Sequence, residues 1–303
     1  MQDIRRKSHI KMLWSDRIFM AFIYTLLTLS LVLVLYPLIF IVSCSFSDPT
    51  NVLSGKVVFL PVDFSLYSYE QVFKYQMVMT GYRNSLIYTV LGTTISLSLT
   101  IMAAYPLAHR GFYGRRLFTA YFLFTMIFSG GLIPTYLQVK SVGMLGSMWA
   151  VIVPNAVAIW LVIIARTFFE QSIPTELYEA ADLDGASDFG FLIRIVLPLS
   201  GPIIAVVALN YAVWLWNGYF DALIYLADRS QYPLQLVLRD ILILNNNIDL
   251  QSVADIESAA RKQGLAVVLK YSLIVVGSVP LLIVYPFVKK YFVKGMLVGA
   301  VKG

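Results

Sequence analysis

A chain of 303 residues that is 59% hydrophobic and only 13% charged, with a mean hydropathy of +0.75, is too apolar for a soluble domain of that length and reads as an integral membrane protein. Its single cysteine, Cys44, excludes an internal disulfide framework, and two histidines beside it give no basis for a structural metal site. The net charge of +6 does not point to nucleic acid, because the basic residues gather at the chain ends and in one short loop, where membrane topology explains them.

The first 17 residues carry Arg5, Arg6, Lys7, Lys11 and Arg17, and the apolar run from about 18 to 42 is long enough to cross a bilayer. It is longer than the apolar core of a cleavable signal peptide, so a retained first span is expected. Further apolar runs near 85–107, 117–138, 147–169, 200–226 and 267–289 bring the expected total to six spans and place both chain ends on one side. Lysine and arginine choose the side. The amino end is basic, the loop after the second span holds His109, Arg110, Arg115 and Arg116, and the tail holds Lys289, Lys290, Lys294 and Lys302, so these segments are expected in the cytoplasm. The domain reading is a cytoplasmic segment 1–17, a six-span domain 18–289 and a cytoplasmic tail 290–303.

Residues 43–83, a short turn at 140–146 and residues 227–266 then fall outside. The last contains Tyr232, Leu234, Leu236, Leu238, Ile241 and Leu244 among polar residues, the pattern of an amphipathic helix lying on the outer surface. Arg83 and Asn84 are placed to anchor the outer end of the second span. Gly130, Gly131 and Pro134 interrupt the third, where close helix packing is the expected use of the glycines. No Gly-rich phosphate loop ending in Gly-Lys-Ser or Gly-Lys-Thr occurs, so the chain does not bind ATP by that device.

Between the fourth and fifth spans lies a polar stretch, 172–202, rich in Glu and Asp. Ser172 and Thr175 are positioned to start a helix with Pro174 near its first turn, and Glu176 and Glu179 bring negative charge to the positive end of the helix dipole. Gly185 permits a sharp turn, a second helical piece runs through Phe189, Leu192, Ile193 and Val196, and Pro198 is expected to end it. The product is a helix-turn-helix at the membrane face whose small residues, Ala180, Ala181 and Gly185, keep its surface low. In the fifth span, Asn210, Trp214, Asn217 and Asp221 fall at i, i+4, i+7 and i+11, one helical face. Amides and a carboxylate suit sugar hydroxyls and a Trp face suits a sugar ring, so these four are the candidate lining of a substrate path.

The order Glu179-Ala180-Ala181, Gly185, Ile195, Leu197, Pro198 resembles the EAA loop of the membrane subunits of bacterial ABC importers, with the spacing E-A-A-x-x-x-G and I-x-L-P complete. Ala103 to Arg110 with Phe112, Gly114 and Arg115, then Val142 to Leu145 with Trp149 and Pro154, and the ending from Tyr285 to Gly303 are similar to the carbohydrate branch of those permeases, which includes the small subunit of the maltose permease. The likeness covers nearly the whole chain. It departs at His109, where the family's arginine is displaced to Arg110, a change expected to leave the coupling loop untouched, and in the longer loop 227–266.

The resemblance implies an all-helical membrane fold of the type I ABC importer permeases and a subunit that is not itself an enzyme. It implies a heterodimer with a second, homologous permease subunit, two ATP-binding subunits that carry the ATP and Mg²⁺, and an external solute-binding protein, in a bacterial cell membrane. Glu179, Ala180, Ala181, Asp184, Gly185, Ile195, Leu197 and Pro198 would then couple to the ATPase, and Gly299, Lys302 and Gly303 in the tail would reach into it. The cargo implied is an oligosaccharide or other carbohydrate. Alternatives are a non-sugar solute carried by the same architecture, an ion-coupled carrier, or a structural or regulatory membrane subunit. The second requires an ionisable group buried at mid-membrane, whereas Asp221 sits near the outer end of its span.

Overall fold

The computed structural model describes residues 13–244 and 267–286. These are helical apart from loops, with one isolated antiparallel bridge between Ser47 and Phe64. In chain order the helices are α1 (Trp14–Ser45), α2 (Pro49–Leu53), α3 (Tyr67–Lys74), α4 (Gln76–Ala108), α5 (Arg115–Ile127), α6 (Leu132–Ser141), α7 (Trp149–Ile152) and α8 (Ile159–Ser172). The polar stretch contributes α9 (Thr175–Leu183), α10 (Asp188–Phe191) and α11 (Leu197–Leu199). Then come α12 (Gly201–Asn217), α13 (Phe220–Tyr225), α14 (Leu234–Leu244) and α15 (Val267–Pro286). The contacts divide the chain into two units, Met1–Gln71 with Leu250–Val275, and Val72–Asp249 with Val276–Gly303.

In the first unit α1 is 32 residues long, apolar on every side, and its most apolar window is entirely unburied. A helix with no polar face is stable only against lipid or another apolar surface. Only its end is enclosed. There Ser43 Oγ donates to the Phe59 carbonyl at 2.7 Å, Tyr69 Oη to Ser45 Oγ at 2.8 Å, and Ser272 Oγ to Ser68 Oγ at 2.8 Å, while the ring of Phe46 stacks on Phe64. These bonds satisfy buried hydroxyls that would each cost energy if left dry and unpaired.

The second unit is organised on α4, against which α8, α12 and α14 pack. The buried side of α4 carries, beside Tyr88, a stripe of small residues, Gly81, Ser85, Gly92, Ser96, Thr100 and Ala104, which lets neighbouring helices come close. A Cβ at Gly92 would stand 2.6 Å from Leu215 Cδ1, and one at Gly81 would stand 3.1 Å from the Leu234 Cα. The largest core cluster joins the end of α4 to α8, α9, α10 and α12 through Leu107, Leu161, Phe169, Ala181, Phe191 and Tyr211.

Several expectations change. Among the described residues three helices, α1, α4 and α15, are individually long and apolar enough to cross a membrane, or up to five spans if each bent pair is one. The run 117–138 is broken, with α5 and α6 meeting at 114°. Gly131 lies at φ +86° with open space around its Cβ position, so the glycine serves the break rather than close packing. The run 147–169 is interrupted after α7 around Pro154, whose ring removes a helix donor. The segment 227–266 is no surface-lying helix over its described part, because Leu234, Leu236, Val237 and Leu238 of α14 are buried. Asn84 Nδ2 donates to the Ser230 and Tyr232 carbonyls, Tyr88 Oη to the Gln231 carbonyl, and Leu234 N to Ser85 Oγ, so the loop is stitched to α4. Asn84 anchors, as expected, while Arg83 is exposed.

Candidate functional site

The polar stretch folds into the anticipated helix-turn-helix. Pro174 is the extended residue just before α9 (φ −61°, ψ 146°), where its missing N–H costs nothing. Gly185 turns the chain at φ +69°, with the Ala186 N–H closing back on the Ala181 carbonyl at 2.9 Å. Ser187 then caps α10 by accepting from the Gly190 N–H. The helical path continues through a wide π turn, Leu192–Val196, in which the Leu197 N–H reaches the Leu192 carbonyl. Pro198 has no N–H to give Arg194, and the wide turn lies directly ahead of it. Pro198 therefore does not end the helix. The path runs on to Leu199, and the corner is at Ser200, where the chain bends by 86° into α12.

The motif residues divide into two groups. Glu179, Ala180, Asp184, Gly185 and Pro198 are exposed. Ala181 is buried in the core cluster, and Ile195 and Leu197 pack against it, which corrects the reading of Ala181 as docking surface: its small size lets α9 seat on the protein. Tyr178 is the main fixing point. Its ring stacks on His109 at 4.9 Å and 6° and tilts on Phe191 at 4.6 Å, and burial pushes its phenol above the usual range. His109 is thus in contact with the loop, against the expectation that this departure leaves the loop untouched. Of the large apolar side chains on the polar segment, Leu183 at 90% exposure and Phe189 at 66% are the barest. Gly299, Lys302 and Gly303 lie outside the described residues.

The polar face of the fifth span is only half continuous. Asn210 and Trp214 line a cavity of about 770 Å³ together with Asn155, Trp160, Tyr211 and Thr125. Asn217 is the last residue of α12, and Gly218 breaks the helix with extended backbone (ψ 122°), so the i+11 register fails and Asp221 belongs to α13. Asp221 instead accepts from Asn155 Nδ2 at 2.9 Å. Neither Asn217 nor Asp221 lines the cavity. The amides of Asn210 and Asn217 each donate one N–H to the carbonyl four residues back, Val206 and Val213, which leaves a second N–H as donor and the amide oxygen as acceptor. Tyr211 ties the cavity wall together, its hydroxyl 2.7 Å from Thr100 Oγ1 and accepting from the Ala158 N–H at 2.9 Å. Asn155 and Trp160 escaped the sequence reading. Their signal was a Pro-Asn pair inside an apolar run.

No protein-family model matches the chain. The chain is 39% identical over 288 residues to the polygalacturonan/rhamnogalacturonan transport system permease protein YtcP of Bacillus subtilis, which covers 95% of this chain and 99% of that protein. It is 42% identical over 267 residues to the protein LplC of the same organism, covering 88% and 89%. Among solved structures, a bacterial ABC transporter involved in the import of the acidic polysaccharide alginate matches with a TM-score of 0.83 and 33% identity, over 93% of this chain and 99% of that one. Together with the long apolar helices and the helix-turn-helix at α9 and α10, these likenesses show that the chain belongs to the carbohydrate ABC transporter permeases.

Proposed function

We propose that this permease passes an oligosaccharide through a path completed by a second, homologous permease subunit, and that two ATP-binding subunits drive it by gripping the α9–α10 hairpin. The exposed face of that hairpin carries the reading: Glu179, Ala180, Asp184 and Gly185 stand beside Leu183 and Phe189, two apolar side chains that only a partner would cover. The buried side, through Tyr178, Ala181 and Phe191, joins the core that also holds α4 and α12. A push on the hairpin is therefore a push on the cavity wall. ATP and Mg²⁺ belong to the partner subunits, and a solute-binding protein delivers cargo on the far side. Six crossings, with the amino end, the α4–α5 turn, the hairpin and the tail in the cytoplasm, fit the Lys and Arg distribution.

The cavity supports the cargo class. Asn155 and Asn210 offer hydrogen bonds, Trp160 and Trp214 offer apolar planes, and among the described residues no charged side chain lines it. YtcP and the alginate transporter are named for acidic polymers, so an acidic glycan would draw its countercharge from the partner permease. The test is uptake and ATP hydrolysis in the reconstituted assembly. Glu179→Lys and Gly185→Trp, both outside the expected spans, are expected to leave the protein in the membrane and separate hydrolysis from transport. Normal uptake in both variants would refute the coupling role. Thermal stabilisation of the binding protein by amino acids or metals, and by no glycan, would refute the cargo class.

A further inference from the structure

Where α4 gives way to α5, the side chains of Arg110, Arg115, Arg116 and Arg166 line one open cavity of about 840 Å³. Two are committed to structure. Arg115 donates from Nε to the Leu107 carbonyl at 2.8 Å and from Nη2 to Glu170 at 2.6 Å, and Arg166 reaches the same carbonyl at 3.1 Å and the same carboxylate at 3.5 Å. One carboxylate therefore serves two guanidiniums. Arg110 and Arg116 are exposed and form no ion pair with an acid among the described residues. The same place holds the positive end of α5, which has neither a capping side chain nor an acid in its first turn. Glu170 offsets part of this charge, and the net positive charge that remains beside the amino end of α5 favours an anion from outside.

The surroundings identify the carrier of that anion. Along α5, Leu117, Tyr121, Phe124 and Phe128 run at i, i+4, i+7 and i+11, each between 56% and 73% exposed, and make one apolar track, while Leu123, 39% exposed, brings apolar surface into the cavity lining itself. Tyr113, 96% exposed, stands at the mouth. A soluble anion has no use for such a track, whereas a phospholipid has a phosphate and acyl chains in just that order. We propose that this cavity binds the phosphate of an anionic membrane phospholipid, with Arg110 and Arg116 as its ligands and the acyl chains along α5. From the proposed function this takes only the placement of the α4–α5 turn at the membrane surface.

The assembled transporter in detergent, titrated with phosphatidylglycerol and read by native mass spectrometry, tests it. The chain is expected to retain phosphatidylglycerol in preference to phosphatidylcholine, and Arg110→Gln with Arg116→Gln to weaken retention about 30-fold, from about 1 kcal/mol per basic residue. Arg110→Lys with Arg116→Lys, which keeps the charge, is expected to restore most of it, and Arg229→Gln, in the loop before α14, to change nothing. Unchanged retention in the double Gln variant would overturn the site, as would soluble glycerol phosphate binding as tightly as the lipid. A cavity shielded by the ATP-binding subunits, seen as no lipid retained until they are stripped away, would also overturn it. Orientation is read separately, by labelling Tyr113→Cys with an impermeant maleimide. Labelling from outside the cell would refute the cytoplasmic placement and leave the detergent measurement standing.

Discussion

The α9–α11 hairpin and the polar face of α12 are both short, mixed-polarity segments next to each other in sequence, yet they are built in opposite ways. The hairpin is shaped by local chemistry: a proline before α9, a glycine at positive φ, a serine cap, and a second proline behind a wide turn. The α12 face acquires its meaning from residues far along the chain, because the cavity that receives Asn210 and Trp214 is closed by Asn155, Trp160 and Thr125. Local signals survive transfer from sequence to structure. Surfaces assembled from distant segments do not, since one broken turn at Gly218 moves Asp221 to a different helix and a different partner.

That contrast can be broken most severely at the hairpin. Gly185→Trp forces a side chain into a left-handed residue, at about 1–2 kcal/mol of strain, and sets an indole on the docking face; uptake is expected to fall more than about tenfold while membrane levels persist. Removing residues 296 to 303 is expected to lower the stimulated ATPase rate severalfold, and an unchanged rate would separate the tail from coupling.

At the cavity, Trp214→Ala with Asn210→Leu is expected to slow uptake roughly twofold to tenfold without changing the binding protein's affinity for sugar, as the loss of neutral hydrogen bonds worth about 0.5–1.5 kcal/mol implies. Asn217→Leu sharpens the comparison, because a residue on the same helical face but outside the cavity should change uptake less than about twofold. Equal effects at Asn210 and Asn217 would restore the continuous stripe and count against the cavity. The smallest expected effect is Ser85→Ala, which removes the acceptor of the Leu234 N–H and should lower thermal stability by about 1 kcal/mol without touching transport.

Much of the molecule was legible. Apolar run lengths located α1, α4 and α15, and the motif spacing located the hairpin and its turn at Gly185. The misreadings share a cause. Gly131, Pro154 and Gly218 each break a run whose hydropathy is uninterrupted, and hydropathy reports the cost of leaving water, not the path of the backbone. Ala181 and α14 were assigned to surfaces because their own sequences allow it, and burial was decided by what lay opposite: Phe191 and α4.

The sequence by itself determined that this chain lives in a membrane, that it carries the permease motif, and where the hairpin turns, because apolar length, glycine geometry and proline's missing donor act over a few residues and need no neighbour. Tertiary structure alone decided which small residues are contact surface and which are seats. It also decided which polar side chains face a cavity, that His109 stacks on Tyr178, and that four arginines from α8, α5 and the α4–α5 turn share one mouth. These depend on which distant side chains meet, and that is settled by the close approach of helices along the small-residue stripe of α4, where a missing Cβ at Gly81 or Gly92 sets the distance.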